Sequence, residues 1–199
     1  SNLQASYFLI TMFLIGFVCL YQLNINTWFV AISAIPLVIL YPLAKRFTKW
    51  PQVILGLTFS WAIPTAWSSA NEKWNFGILM MYLATVFWII GYDTIYGCQD
   101  KNEDEIFGIK NSAVSAKKFL TLFVGCAYGL MFVLLIISGY LLNNSYFWYI
   151  GVLICGLHLI GQVIKLKNIE QNNPLQIFKS NVFLGLILTL SSLGNHLVS

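Results

Sequence analysis

Apolar residues gather into seven runs, at about 4–22, 25–41, 52–69, 76–96, 116–142, 146–164 and 177–197. A helix needs roughly 20 residues to cross a bilayer core; tilt and interfacial aromatics absorb the runs that fall short. Backbone polar groups in lipid must bond within their own segment, so these runs are expected to be helices rather than strands. Pro36 and Pro64 interrupt the second and third runs, and kinks are expected there. Gly125 and Gly129 form a GxxxG step in the fifth run, which favours close helix contact. No repeat or low-complexity linker divides residues 1–199. The expected architecture is one all-α membrane domain, a bundle of seven transmembrane helices.

Composition narrows the function classes. The chain is 58% hydrophobic and 9% charged, with a mean hydropathy of +0.75. A soluble domain is roughly 45–50% apolar and about 25% charged. Seven acidic and eleven basic side chains cannot coat a globule of 199 residues. A soluble enzyme, a disordered chain and a nucleic-acid binder are therefore excluded. An aromatic content of 16% suits a protein with Trp and Tyr at the bilayer interface. Cys19, Cys98, Cys126 and Cys155 form no CxxC pair and read as packing residues. His158 and His196 stand alone in apolar runs, where helix-to-helix hydrogen bonding or packing is the expected role.

The placement of charge predicts topology. Lys45, Arg46 and Lys49 lie in one connection, Lys101, Lys110, Lys117 and Lys118 in a second, and Lys165, Lys167 and Lys179 in a third. The alternating connections hold only Lys73. Loops rich in Lys and Arg stay on the cytoplasmic side. The three basic loops are thus expected to face the cytoplasm of a bacterial inner membrane, or the matrix of a mitochondrial one.

Candidate chemistry concentrates at Tyr92–Ala113, YDTIYGCQDKNEDEIFGIKNSA, which carries five of the seven acidic residues: Asp93, Asp100, Glu103, Asp104 and Glu105. If the fourth apolar helix continues out of the membrane, Asp93, Gly97, Asp100 and Asp104 share one face. Carboxylates on one stripe repel each other and call for a cation. Hard oxygen donors suit Mg²⁺ or Mn²⁺, and Mg²⁺ takes one or two carboxylates together with substrate phosphate. Asp100 and Asp104 are the expected metal ligands. An acidic loop that merely connects helices is the plainer reading. Asp93 argues against it, because a carboxylate at the end of an apolar run is costly. A transporter or channel is the competing class, but its ionisable groups would sit near the midplane; here they gather at one face.

This stretch resembles the second aspartate-rich motif of the UbiA superfamily of intramembrane prenyltransferases. The branch acting on 4-hydroxybenzoate reads YDTxYAxxDxxDD followed by GxKST; Tyr92, Asp93, Thr94, Tyr96, Asp100, Asp104, Gly108 and Lys110 match. The segment YPLAKRFTKWPQVILGLTFSWAIP resembles that branch's YPxxKRxTxxPQxxLGxxFxWxxP at Tyr41, Pro42, Lys45, Arg46, Thr48, Pro51, Gln52, Gly56 and Trp61. Asn102 and Glu103 stand where aspartates are common, and Asn111-Ser112 replaces Ser-Thr. The family's first motif, NDxxDxxxD, does not occur, so the chain is expected to correspond to the last seven of the family's nine helices, without the part that supplies half of the site.

The resemblance implies Mg²⁺-dependent transfer of a polyprenyl group from its diphosphate to the ring of 4-hydroxybenzoate, a step in ubiquinone biosynthesis. It implies Asp93, Asp100 and Asp104 as catalytic residues, with Asp100 and Asp104 as Mg²⁺ ligands and Asp93 orienting that site or the acceptor. Lys101 and Lys110 are implied contacts of the diphosphate. Lys45 and Arg46 are candidates for the acceptor carboxylate, since a guanidinium fork matches a carboxylate, and Tyr96 helps to shape the pocket. The bilayer itself is the partner of the polyprenyl tail. Alternatives are a UbiA-type transferase with a menaquinone, haem or chlorophyll precursor as acceptor, or an inert membrane fragment.

Overall fold

The computed structural model describes residues 2–99, 112–169 and 171–196. Eleven α-helices and one 3₁₀ turn account for the regular structure among them. These are α1 (Asn2–Tyr21), α2 (Ile25–Ile32), α3 (Ile35–Phe47), α4 (Pro51–Ser60), α5 (Ala62–Ser69) and α6 (Phe76–Tyr96), then α7 (Ser112–Ala116) and the turn Lys117–Phe119, then α8 (Leu120–Leu141), α9 (Tyr146–Lys167), α10 (Pro174–Lys179) and α11 (Asn181–His196).

Six segments are long and apolar enough to cross a membrane: Leu3–Tyr21, Ile25–Ala44, Phe76–Tyr96, Leu120–Leu141, Tyr146–Lys167 and Pro174–Asn195. The seventh apolar run is the broken pair α4–α5. Pro64 has no N–H to offer the Ser60 carbonyl, and the ladder is interrupted at Trp61, whose amide turns back to Thr58 (3.3 Å). The break at Pro36 has the same origin. The Ile32 carbonyl loses its partner four residues on, and the chain crosses Ser33–Ala34 on shorter-range bonds, Ala34 N donating to Ala31 O at 3.2 Å. Both predicted kinks are therefore present.

The core lies where α6 meets α8 and α4. Ile95, Val124 and Ala84 are fully buried and Met131 nearly so. Gly91 of α6 admits the ring of Tyr128 from α8; a Cβ there would overlap that ring. Gly56 of α4 lies under α6, where a Cβ would stand 2.9 Å from the Val86 carbonyl oxygen. Close contact thus occurs at Gly91 rather than at the GxxxG step. A Cβ on Gly129 would meet nothing within 4 Å, and one on Gly125 would touch only Val163, at 3.8 Å. These two glycines open an apolar recess of about 340 Å³ between α8 and α9. The expectation of tight packing there fails because Tyr128, between them, turns towards α6.

Large apolar side chains cover the outside of the bundle. Phe8 (67% exposed) and Phe13 (70%) on α1 show the pattern expected of a surface that faces lipid. No disulfide forms among the four cysteines, of which Cys155 is buried.

The connections segregate as the charge pattern requires. At one pole, Ser115 Oγ donates to the Lys49 carbonyl (3.2 Å), joining the first basic connection to the second. The rings of Tyr96 and Phe178, 5.0 Å apart, join the second to the third. At the other pole, Asn24 Nδ2 donates to the Ser68 carbonyl (2.9 Å) and Trp67 Nε1 to the Lys73 carbonyl (3.1 Å). The Ser145 amide there bonds the side chain of Asn195.

Candidate active site at the basic pole

α6 delivers Asp93 to this pole. The helix carries no charged residue until Asp93, which sits half-buried in its last turn. Gly97 then caps the helix, its amide donating to the Asp93 carbonyl at 2.9 Å, and Cys98 and Gln99 continue as a turn. The helix ends at Tyr96, and the rest of the stripe expected beyond Gly97 falls on residues outside the described ones. Asp100, Lys101, Asp104 and Lys110 lie outside the described residues, as do Glu103 and Glu105.

The two stems of that acidic segment are held together. Thr94 Oγ1 and Ser112 Oγ share a hydrogen bond of 2.7 Å, and both residues are fully buried. Gln52, 4% exposed at the start of α4, accepts from the Ser112 amide at 3.2 Å. A buried hydroxyl pair with no water to replace it holds its partners firmly. The pin brings the end of α6, the start of α7 and the start of α4 to one point. It explains why Pro51-Gln52 and the residues flanking the acidic stretch belong to one site although they are some 40–60 positions apart. Trp50 adds to this contact by packing its ring at a tilt against Phe123, centroids 5.0 Å apart.

Helix α3 brings the other motif alongside. Tyr41, half-buried, lies in the electrostatic field of Asp93 together with Tyr92. Arg46 follows on the same helix, exposed at the same pole. Lys45 is the preceding residue of α3. Tyr96 is 38% exposed and leans on Phe178. Among the expected site residues, then, Asp93, Tyr96, Lys45 and Arg46 occupy one end of the bundle.

An aromatic wall borders Asp93. Trp88 meets Tyr92 edge-on at 5.8 Å, Tyr92 meets Phe178 at 5.5 Å, and Phe178 meets Tyr96 at 5.0 Å. Trp88 is fixed by donation from its indole N–H to Asn181 Oδ1 (2.8 Å), which ties α6 to α11. Below it, Tyr128 donates its hydroxyl to Gln162 Oε1 at 2.7 Å. Sequence reading assigned no role to Gln52, Ser112, Gln162 or Asn181. For Gln52, Gln162 and Asn181 the available signal was an amide inside an apolar run, since polar groups in spans are expensive and rarely idle; Ser112 carried none.

No group of three or more His, Cys, Asp or Glu side chains that could hold a metal occurs among the described residues. Asp93 is the described carboxylate of the site, and a single carboxylate does not make a divalent site. The donor chemistry of the adjoining acidic segment, all hard oxygen, fits Mg²⁺.

Comparison with known proteins bears on family and fold. A model described as the UbiA prenyltransferase family matches residues 1–187. The "4-hydroxybenzoate octaprenyltransferase" of Francisella tularensis subsp. novicida (strain U112) is 35% identical over 194 residues, which span 98% of this chain and 68% of that protein. The "4-hydroxybenzoate polyprenyltransferase, mitochondrial" of Dictyostelium discoideum is 36% identical over 173 residues, 85% of this chain and 37% of that one. Among solved structures, the apo structure of a UbiA homolog from Aeropyrum pernix K1 superimposes with a TM-score of 0.83, at 17% identity, over 98% of this chain and 74% of that chain. That likeness concerns the fold alone. A helical bundle that brings Asp93 and Arg46 to one pole, matched by the family model over residues 1–187, identifies the chain as a member of the UbiA prenyltransferase family.

Proposed function

We propose that the protein transfers a polyprenyl group from polyprenyl diphosphate to the ring of 4-hydroxybenzoate, with Mg²⁺ as cofactor, in the synthesis of ubiquinone. The observation that carries this reading is the convergence at the basic pole. Asp93 stands there within electrostatic range of Tyr41, adjacent in sequence to Tyr92 of the aromatic wall, with the stems of the acidic segment pinned at Thr94, Ser112 and Gln52. The names of the two curated relatives support the acceptor.

Asp100 and Asp104 are the residues that would hold Mg²⁺, which when bound neutralises the charge that develops on the departing diphosphate. Lys101 and Lys110 bind the same phosphates as point charges. Loss of diphosphate leaves an allylic cation. The π faces of Trp88, Tyr92, Phe178 and Tyr96 stabilise it electrostatically and keep water from it. Lys45 and Arg46 bind the acceptor's carboxylate, turning the phenol ring so that the carbon beside its hydroxyl meets the cation. That carbon then gives its proton to the released diphosphate and the ring recovers aromaticity. Asp93, half-buried at the end of α6, orients the acidic segment or the acceptor. A bilayer setting follows from the substrate, because a polyprenyl tail is soluble only there. The three basic connections would face the cytoplasm or matrix, where 4-hydroxybenzoate is dissolved.

The test is product formation. Membranes carrying the protein are incubated with labelled 4-hydroxybenzoate, Mg²⁺ and polyprenyl diphosphates of several lengths. A labelled, lipid-extractable product is expected for at least one length. None at any length, with the protein shown to be inserted, would contradict the reading.

A further inference from the structure

The last membrane-spanning segment, Pro174–Asn195, is broken where α10 passes into α11, at Ser180 and Asn181. Two carbonyls of the break are met by side chains. Ser180 Oγ donates to the Ile177 carbonyl at 2.7 Å, and Asn181 Nδ2 to the Phe178 carbonyl at 2.9 Å. Local satisfaction of a helix break in lipid accounts for those two bonds. It does not account for what holds the same side chains from other helices. Gln162 Nε2, on α9, donates to Ser180 Oγ at 2.9 Å, and Gln162 Oε1 accepts from the Tyr128 hydroxyl of α8 at 2.7 Å. His158 Nε2, one turn before Gln162, lies 3.0 Å from the same serine oxygen. Trp88 of α6 donates to Asn181 Oδ1 at 2.8 Å. Gln162 and Tyr128 are each 3% exposed and Asn181 8%, and bonds so buried are hard to exchange for others. Three helices thus grip one break.

What the break carries is Phe178. Its ring lies against Tyr92, centroids 5.5 Å apart, and Tyr96, 5.0 Å apart. Trp88, Tyr92 and Tyr96 follow one another at four-residue spacing along one face of α6, whereas Phe178 reaches the aromatic wall from α10. We infer that Gln162 is a positioning residue for that wall: by tying Ser180 to Tyr128 it sets the α10–α11 break and keeps the Phe178 ring seated against Tyr92 and Tyr96. What the wall does rests on the prenyl-transfer reading; where Gln162 places Phe178 does not. With the ring displaced, water reaches the allylic cation left when the carbon–oxygen bond to diphosphate breaks. The water oxygen bonds the cationic carbon and its proton passes to diphosphate. Polyprenyl diphosphate and water then become polyprenyl alcohol and free diphosphate, in place of a prenylated ring. Loss of Gln162 therefore changes the partition between two products, and not the rate alone.

The experiment measures that partition. Membranes holding protein translated from its whole reading frame are given labelled polyprenyl diphosphate, Mg²⁺ and 4-hydroxybenzoate, and polyprenyl alcohol is measured against prenylated acceptor. Gln162→Leu is expected to raise the ratio of alcohol to prenylated acceptor about fivefold or more, the scale of one lost cation–π contact. Phe178→Leu should raise it as far, and the double variant no further, because both act through one ring. Ser180→Ala takes the place of Gln162→Leu should the latter lose its thermal transition. A lower thermal midpoint with an unchanged ratio, or effects that multiply in the double variant, would overturn the inference. A second measurement needs no turnover. 4-Fluorophenylalanine placed at position 178 reports the seat of the ring by fluorine NMR in nanodiscs. Its resonance is expected to shift or broaden in Gln162→Leu and in Ser180→Ala, and the same resonance in all three proteins would overturn the inference. Wild type that yields no prenylated acceptor, while the resonance still responds to Gln162→Leu, upholds the placement of Phe178 and contradicts the prenyl-transfer reading alone.

Discussion

At the scale of single residues, the pin among Thr94, Ser112 and Gln52 does the positioning. Thr94→Val keeps the shape of the side chain but leaves the buried Ser112 hydroxyl without its 2.7 Å partner. A buried group stripped of its partner costs about 1–3 kcal/mol, so a lower thermal midpoint in detergent is expected. Because the pin closes the acidic segment, transfer activity should fall further than the stability loss alone explains, and Thr94→Ser should restore both. A Thr94→Val protein with unchanged midpoint and unchanged activity would show that the stems are held by something else. Part of this site was readable in the residues themselves. Asp93 and the YDTIY and YPLAKR segments stood out because charge at the end of an apolar run needs a reason. The pin was not readable. Gln52 and Ser112 are 60 positions apart, and only folding reveals that the two motifs share a hydrogen bond.

At the scale of helices, hydropathy located the spans well because lipid enforces both their length and their internal hydrogen bonding. It located their ends and their contacts poorly. Nothing in the apolar pattern says that α6 stops at Tyr96, since Gly97 in right-handed helical geometry can continue a helix as easily as cap one. The prolines did announce the breaks after α2 and within the α4–α5 pair, because a missing N–H is a property of the residue and not of its surroundings. The glycines divide in the same way. The GxxxG spacing of Gly125 and Gly129 carries no information about which face meets a neighbour. Gly91 is the position where α8 approaches, and a Cβ there would strike the Tyr128 ring. Gly91→Ala is expected to destabilise the bundle by about 1–3 kcal/mol through overpacking and to disturb the Tyr128–Gln162 bond. Gly129→Ala, with open space around it, should change stability by no more than about 0.5 kcal/mol. Thermal unfolding of both variants in the same detergent decides between this packing and one centred on the GxxxG step. The reverse ranking would contradict the present one.

At the scale of the whole molecule, an asymmetric bundle places the described parts of its basic connections, the two stems of its acidic segment and its aromatic wall at one pole, and leaves Lys73 as the one Lys or Arg of the opposite connections. This asymmetry was visible in the order of charges along the chain, and the contacts Ser115–Lys49 and Tyr96–Phe178 give it three-dimensional form. Single cysteines at positions 49, 118 and 179, in a background with the four native cysteines replaced, should react with an impermeant maleimide from the same side of a sealed vesicle. A cysteine at position 73 should react only from the other side. Labelling of 49 and 179 from opposite sides would require a different threading of the chain.

The central claim is that the acidic segment following Asp93 serves divalent-dependent ionisation of a prenyl diphosphate. Its most direct test is the rate of 4-hydroxybenzoate prenylation against Mg²⁺ concentration, measured in membranes holding equal amounts of inserted protein translated from its whole reading frame. Wild type is compared with Asp100→Asn and Asp104→Asn. The expected result is a saturable Mg²⁺ dependence for wild type, abolished by EDTA. Each variant should lose at least about a hundredfold in rate, on the scale of removing one preorganised charge-stabilising group. Turnover that is indifferent to EDTA, or variants as active as wild type, would contradict it.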